Sequence, residues 1–337
     1  MTQRQRKFLT MTIGVVISVG IMYALFRKID FVKLVDALES ANYWWLVPNI
    51  LLIAGTMFIR AYRWDFMIQP IKSARYGHLL AATCIGFMAN NVLPLRLGEF
   101  VRAYSLAYQD RELTKSASLA TIFVERMVFD LVALLIIFGG VLAVASVAID
   151  EQMRQGLYIA IAVALAGLAF VFFLALKPNS AGELLTRYLF FLPDRIRETM
   201  RSVVLKFSRG LEFVVNARTA FHVGWLTVLI WLIMGVSNYF VFLAFGFDLP
   251  IDASFFLLVV VSISILVPSS PGFIGVYHAG TVFTLVQYGI GREDALSFAL
   301  VLHAAQYIPI TLMGFYYLRK AHLSLRQLEE GAVDGQD

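Results

Sequence analysis

Two short segments gather ionisable side chains inside an otherwise apolar chain. The first, Asn90-Asn91-Val-Leu-Pro94-Leu-Arg96-Leu-Gly98-Glu99-Phe-Val-Arg102, holds two amides, two arginines and one glutamate. If the residues after Pro94 are helical, Glu99 and Arg102 share a face three positions apart, and Arg96 lies three before Glu99. One carboxylate between two guanidiniums leaves a net positive charge, and a helix begun at proline aims free N–H groups at an anion. Guanidinium donors match phosphate oxygens in pairs, so one available chemistry is a phosphate cradle. The plainer one is an interfacial helix whose arginines reach out to lipid headgroups. The second segment is Glu125-Arg126-Met-Val-Phe-Asp130, inside an apolar stretch that runs to residue 149. Arg126 and Asp130 lie one helical turn apart and can form an internal ion pair, while Glu125 points about 100° away. Glu125 is then free to pair with Arg96 or Arg102, to meet an amine on a substrate, or to carry a coupling proton. Charges at membrane depth cost at least about 2.5–3.5 kcal/mol each, which makes them rare and usually functional.

Weaker candidates lie outside these segments. His278 follows a Pro-Gly break, and His303 has Gln306 and Tyr307 one turn further on. A histidine in such surroundings serves either as hydrogen-bonded structure or as a proton carrier. Arg60, Arg63 and Trp64 close an apolar run, the usual arrangement of snorkelling cations and an interfacial aromatic.

The elements that must position these groups are set by composition. The chain has 337 residues, of which 59% are hydrophobic and 15% charged, and its mean hydropathy is +0.75. Soluble domains average about 25% charged residues, so a soluble enzyme, a disordered regulator and a disulfide scaffold are all excluded. Cys84 is the sole cysteine, which rules out an intrachain disulfide and a cysteine-rich metal site. The composition predicts an all-α polytopic membrane protein. Runs long enough to cross a bilayer fall at about 8–26, 43–59, 118–147, 157–176, 220–247 and 295–318. The first follows Arg4, Arg6 and Lys7 with no small-residue cleavage site after Phe26, and reads as an uncleaved anchor.

Two further stretches are interrupted, one near 78–112 at Asn90, Asn91 and Pro94, and one near 253–288 at Pro268, Pro271 and Gly272. Broken backbone at membrane depth survives only inside protein or beside water, so both read as re-entrant helical hairpins. With six full spans and both hairpins leaving where they entered, 22 of the 28 Lys and Arg fall on the inner side and five on the outer. That places both termini in the cytoplasm of a cell (inner) membrane. The net charge of +5 then meets anionic lipid, and no nucleic acid is needed to explain it. Segment 177–218 reads as an amphipathic cytoplasmic linker, residues 1–325 as one transmembrane domain, and 326–337 as a disordered acidic tail.

The hairpins share a pattern: Pro94 precedes Gly98 by four residues, as Pro271 precedes Gly275. Opposed Gly/Pro-broken segments in two halves point to an inverted repeat around a midplane transport site, although proline and glycine are common enough in membrane helices to match by chance. Walker A loops, HExxH zinc motifs and dinucleotide-binding glycine loops are absent. No cofactor, no metal and no enzyme activity are expected.

The first motif, together with Glu125-Arg126…Asp130, Arg60…Arg63-Trp64 and Pro271-Gly272-x-x-Gly275, resembles the lysylphosphatidylglycerol synthase transmembrane-region family of flippase-like membrane proteins. The resemblance runs from the first span to the last. It implies a unit that moves a lipid between leaflets, and it is expected here without the fused aminoacyltransferase domain of the bifunctional members. The family pattern commonly continues Gly-x-x-Glu after the second Pro-Gly, where this chain has His278. The leading expectation is a lipid translocase. Its substrate-binding residues are Asn90, Asn91, Arg96, Glu99, Arg102, Glu125, Arg126, Asp130, His278 and His303. Its hairpins are formed by Pro94, Gly98, Pro268, Pro271, Gly272 and Gly275. The alternatives are an intramembrane enzyme acting on lipid phosphates, with Glu125 or His278 as base, and a scaffold for a glycolipid synthesis complex. A homodimer or a lipid-synthesis enzyme is a possible partner.

Overall fold

A computed structural model describes residues 3–27, 29–144 and 216–333, with isolated positions between 155 and 173. Among the described residues every regular element is a helix. In chain order these are α1 (Gln3–Phe26), α2 (Phe31–Ser40), α3 (Leu46–Ile68), α4 (Tyr76–Val92), α5 (Gly98–Gln109), α6 (Lys115–Val124) and α7 (Leu131–Val144). Then follow α8 (Ala217–Ala244), α9 (Ile251–Ser264), α10 (Val276–Gln287), α11 (Arg292–Lys320) and α12 (Leu325–Val333). Short polar side chains start several of them. Asp30 accepts from the Val32 amide ahead of α2, Thr114 from Ala117 ahead of α6, and Asn216 from Arg218 ahead of α8. Each satisfies an amide that has no partner within its helix.

Three of the described helices are long and apolar enough to cross a membrane, spanning Tyr43–Ile68, Ala217–Ala244 and Arg292–Lys320. The expected span at 43–59 thus runs nine residues further, to Ile68. The expected span at 118–147 is carried by α6 and α7, joined without a break by a π-helical turn, Glu125–Asp130. The expected span 157–176 and the linker 177–218 lie outside the described residues, apart from isolated positions and the start of α8. The expected disordered tail needs correction. Its first part is α12, whose Leu328 is fully buried, because an apolar face on a short helix packs against α5. Residues 334–337 are outside the description.

Both interrupted stretches are helical hairpins. In the first, α4 and α5 meet at two facing glycines. A Cβ on Gly98 would collide with the Gly86 carbonyl and the Asn90 side chain, and one on Gly86 with the Arg102 Cβ. In the second, Gly280 of α10 is pressed in the same way against Ser264 of α9. Each pair of arms is joined by a short helical turn that starts at proline, Pro94–Arg96 and Pro271–Phe273.

Helices from the two halves of the chain pack on one another. α3 lies along α8. α11 packs on α4, and in the same manner α7 packs on α9. Each half has its own apolar core. One is built on Met57, Trp64, Met67, Leu79 and Leu106, the other on Phe242, Leu257, Leu285, Phe298 and Leu302.

Candidate functional site

The residues of the two charged segments meet against α3. Arg63 is fully buried there and binds two carboxylates, Glu125 Oε1 from Nη2 at 2.6 Å and Asp130 Oδ1 from Nη1 at 2.8 Å. The same Nη1 donates to Thr227 Oγ1 of α8 at 2.7 Å. Arg102 Nη1 donates to Glu125 Oε1 at 3.0 Å, and its guanidinium lies 4.0 Å from the centre of the Trp64 ring. Arg126 spans Asp130 Oδ2 at 3.1 Å and Glu99 Oε1 at 3.5 Å. Asn90 joins the rim, donating to Glu99 at 3.4 Å and accepting from the Gly98 amide at 2.8 Å.

Local backbone geometry makes this possible. On an α-helix, residues five apart point about 140° away from each other. The π turn at Glu125–Asp130 bonds each residue to the one five behind, which brings Glu125 and Asp130 round to the same arginine. The i,i+4 pair Arg126–Asp130 forms as its spacing predicts.

Charge does not balance in the cluster. Arg60, Arg63, Arg102 and Arg126 face Glu99, Glu125 and Asp130, four cations to three anions among the described residues. Arg60 is 4% exposed, yet its recorded contacts are soft ones, the Met234 sulfur at 3.1 Å and the Phe87 ring at 5.0 Å. Its Nε and Nη1, together with Nε and Nη2 of Arg102, are buried without a hydrogen-bond partner. Beside them, Gly86, Phe87, Asn90, Gly98, Glu99, Arg102, Ile122 and Arg126 line a small open pocket of about 10 Å3, at the lower limit for a single water. Glu99 and Arg126, each about one third exposed, form its outer edge.

A second polar cluster lies beside the other hairpin and is built of histidine, tyrosine and amide side chains, without a carboxylate or a guanidinium. His303 of α11 stacks on Tyr277 at 4.6 Å and meets the edge of His278 at 4.9 Å. Tyr277 donates to Gln306 Oε1 at 3.1 Å, and Gln306 donates to Asn238 Oδ1 at 2.9 Å. The Gly275 amide donates to His278 Nδ1 at 3.4 Å. Between the clusters, Asn91 donates to Thr311 Oγ1 at 2.8 Å, while its carbonyl accepts from the Tyr307 hydroxyl at 3.2 Å.

The candidate residues therefore separate into four placements. Asn90, Glu99, Arg102, Glu125, Arg126 and Asp130 are brought together, His278 and His303 form their own pair, and Asn91 bridges the halves. Arg96 goes elsewhere: it lies outside α5, and it donates to the Val267 carbonyl at 2.8 Å and to Ser269 Oγ at 3.4 Å. Glu99 and Arg102 are not paired in the described hydrogen bonds and ion pairs despite their i,i+3 spacing. Glu99 takes Arg126 and Arg102 takes Glu125. The largest correction concerns Arg60, Arg63 and Trp64, expected as a snorkelling, interfacial set. All three are buried, because α3 continues for a further turn inside the protein. The missed signal was their spacing. Arg60 and Trp64 fall on one helical face with Met57, Ala61, Met67 and Ile68, and Arg63 lies at its edge.

These features define a helical membrane protein organised around a buried, net-positive ionic cluster. The chain belongs to the family described as Lysylphosphatidylglycerol synthase TM region, whose match covers residues 11–314. It is 25% identical over 369 aligned residues to a protein named Glycosyltransferase AglD from Haloferax volcanii, covering 97% of this chain and 57% of that one. A UPF0104 membrane protein from Methanothermobacter thermautotrophicus is 22% identical, over 89% of this chain and 92% of its own. Another, from Methanocaldococcus jannaschii, is 25% identical over 68% of this chain and 94% of its own. The chain thus spans little more than half the length of the Haloferax protein. No solved structure matches it.

Proposed function

We propose that this protein is a lipid translocase of the cell membrane, moving a lipid with a phosphate-bearing or otherwise polar head between leaflets. In this reading the hairpins α4–α5 and α9–α10 are re-entrant, enter from opposite faces with both termini cytoplasmic, and form the two halves of an inverted repeat. The observation that carries it is the surplus guanidinium. Arg60 and Arg102 hold unpartnered donors inside the protein, where a buried charge is costly unless paired. An anionic head entering beside Arg102 and Arg126 would complete the charge balance while its tails remain in the bilayer. Glu99 at the rim would orient the arginines or meet a cationic or hydroxyl-bearing part of the head. The pocket has room for about one water, so the helices that line it, α4, α5 and α6 with the π turn, must part for a head to enter.

The test is reconstitution into vesicles with a headgroup-labelled phospholipid. Transfer of label between leaflets without change of its mass supports translocation, and a change of mass supports a lipid-modifying enzyme. Arg126→Gln and Glu99→Gln alter the partly exposed edge and should fold. Each should slow transfer by about tenfold, the worth of one charge-assisted bond. Full-rate transfer in both variants would overturn the assignment. The likeness to a protein named a glycosyltransferase favours a second reading, a scaffold beside glycolipid synthesis, for which partners would bind and no label would cross.

A further inference from the structure

Arg96 was expected among the headgroup ligands, and the structure spends it on the opposite hairpin. Its guanidinium donates to Val267 and Ser269, at the break of the second hairpin, and covers the Phe273 ring at 4.7 Å. Arg96 and Phe273 occupy the same place in the repeat, each two residues after the proline that begins its turn. They also share a rare backbone state. Arg96 has φ 54° and Phe273 φ 59°, both left-handed in residues that disfavour it. Strain of this kind persists only where surrounding contacts enforce it, and it collects at switches. When equivalent positions of two repeats touch each other, the axis relating the repeats passes between them. A second tie lies beside this one: Tyr307 donates to the Asn91 carbonyl and packs on Gly272.

We propose that Arg96 is a positioning residue, the latch that holds the two hairpin tips together, and that it does not bind the lipid head. The proposal rests on the translocation reading for its role but not for its geometry. The Arg96 contact joins the two hairpin tips directly, so its release loosens each from the other, with the Tyr307–Asn91 tie beside it. Val267 and Leu266 are exposed, and on its other side the tip of the second hairpin rests on α1, where the Ser270 amide donates to Ser18 Oγ at 2.9 Å and Gly14 faces the Ser269 carbonyl.

The experiment has two arms on the full chain. In the first, hydrogen exchange is followed in Arg96→Ala and Arg102→Gln. Loss of the latch should speed exchange of amides in residues 265–275 by about tenfold in Arg96→Ala, with little change there in Arg102→Gln. Unchanged exchange in Arg96→Ala overturns the proposal whether or not any lipid is moved. In the second, R96C and F273C are combined with C84A and joined by a short thiosulfonate linker. In vesicles holding headgroup-labelled phospholipid, the joined protein should transfer at least about tenfold more slowly and recover when the linker is reduced. Full-rate transfer while joined overturns the latch. If the unmodified protein transfers nothing, the translocation reading fails, and the exchange arm still decides the contact. Binding of labelled phospholipid should stay within about twofold in Arg96→Ala and fall about tenfold in Arg126→Gln. Equal losses in both would make Arg96 a ligand and overturn its assignment as a latch.

Discussion

The surroundings of the two hairpins share one architecture and differ in chemistry. Beside α4–α5, four arginines and three carboxylates are packed into the protein. Beside α9–α10, the corresponding space holds two histidines, two tyrosines and two amides. The neutral cluster is closed on itself through Tyr277, Gln306 and Asn238, and gains a modest amount from each bond. The charged cluster keeps unpartnered donors. Paired buried charges contribute little net stability, whereas an unpaired one is heavily penalised. On the translocation proposed above, the charged half would hold the anionic head and the neutral half would be the framework against which it moves.

The comparison breaks most visibly at Glu125. Glu125→Ala strips Arg63 and Arg102 of their shared oxygen and should cost about 3–5 kcal/mol, the penalty for orphaning buried charge. Thermal unfolding in detergent, read by loss of the monodisperse species, should come roughly 10 °C earlier. A shift as small as that of a surface substitution would mean that the cluster is hydrated.

The facing glycines give the next effect. Gly98→Ala drives a methyl into backbone and into Asn90, and should cost about 1–3 kcal/mol. Gly280→Ala meets mainly the Ser264 side chain, which can rotate, so its cost should be smaller. Equal shifts in melting temperature would show that the two hairpins are equally tight.

In the neutral cluster, Tyr277→Phe removes the bond to Gln306 and keeps the stack on His303, for a loss of about 0.5–1.5 kcal/mol. The smallest effect belongs to the rim. Glu99→Gln should change stability by less than about 1 kcal/mol, since the Arg126 pair is partly solvated, even though lipid transfer falls. A stability loss as large as that of Glu125→Ala would place Glu99 in the structural core of the cluster and remove it from the ligand's path.

How far the sequence reached depends on the range of the interaction. The break points at Pro94 and Pro271 were legible because proline and glycine punctuate a helix locally, and the structure turns at both. The Arg126–Asp130 pair was legible because it lies within one helical turn. Glu125 was read as pointing away, seeking a distant partner with Arg102 among the choices, and the structure pairs it with Arg102 and adds Arg63. Arg63 was misplaced because a cation near the end of an apolar run looks the same whether the helix leaves the membrane there or continues into the protein.

The amino-acid order alone settled the membrane class, the hairpin breaks and which segments carry charge, since each follows from hydropathy, helical period and backbone chemistry over a few residues. The fold decided which charges neutralise each other and which guanidinium donors are left over. It also decided that Arg96 reaches across to the other hairpin. An ion pair needs only a few ångströms of space and takes no account of chain separation, so Arg63 can find Glu125 and Asp130 only after α3, the π turn and α8 have packed.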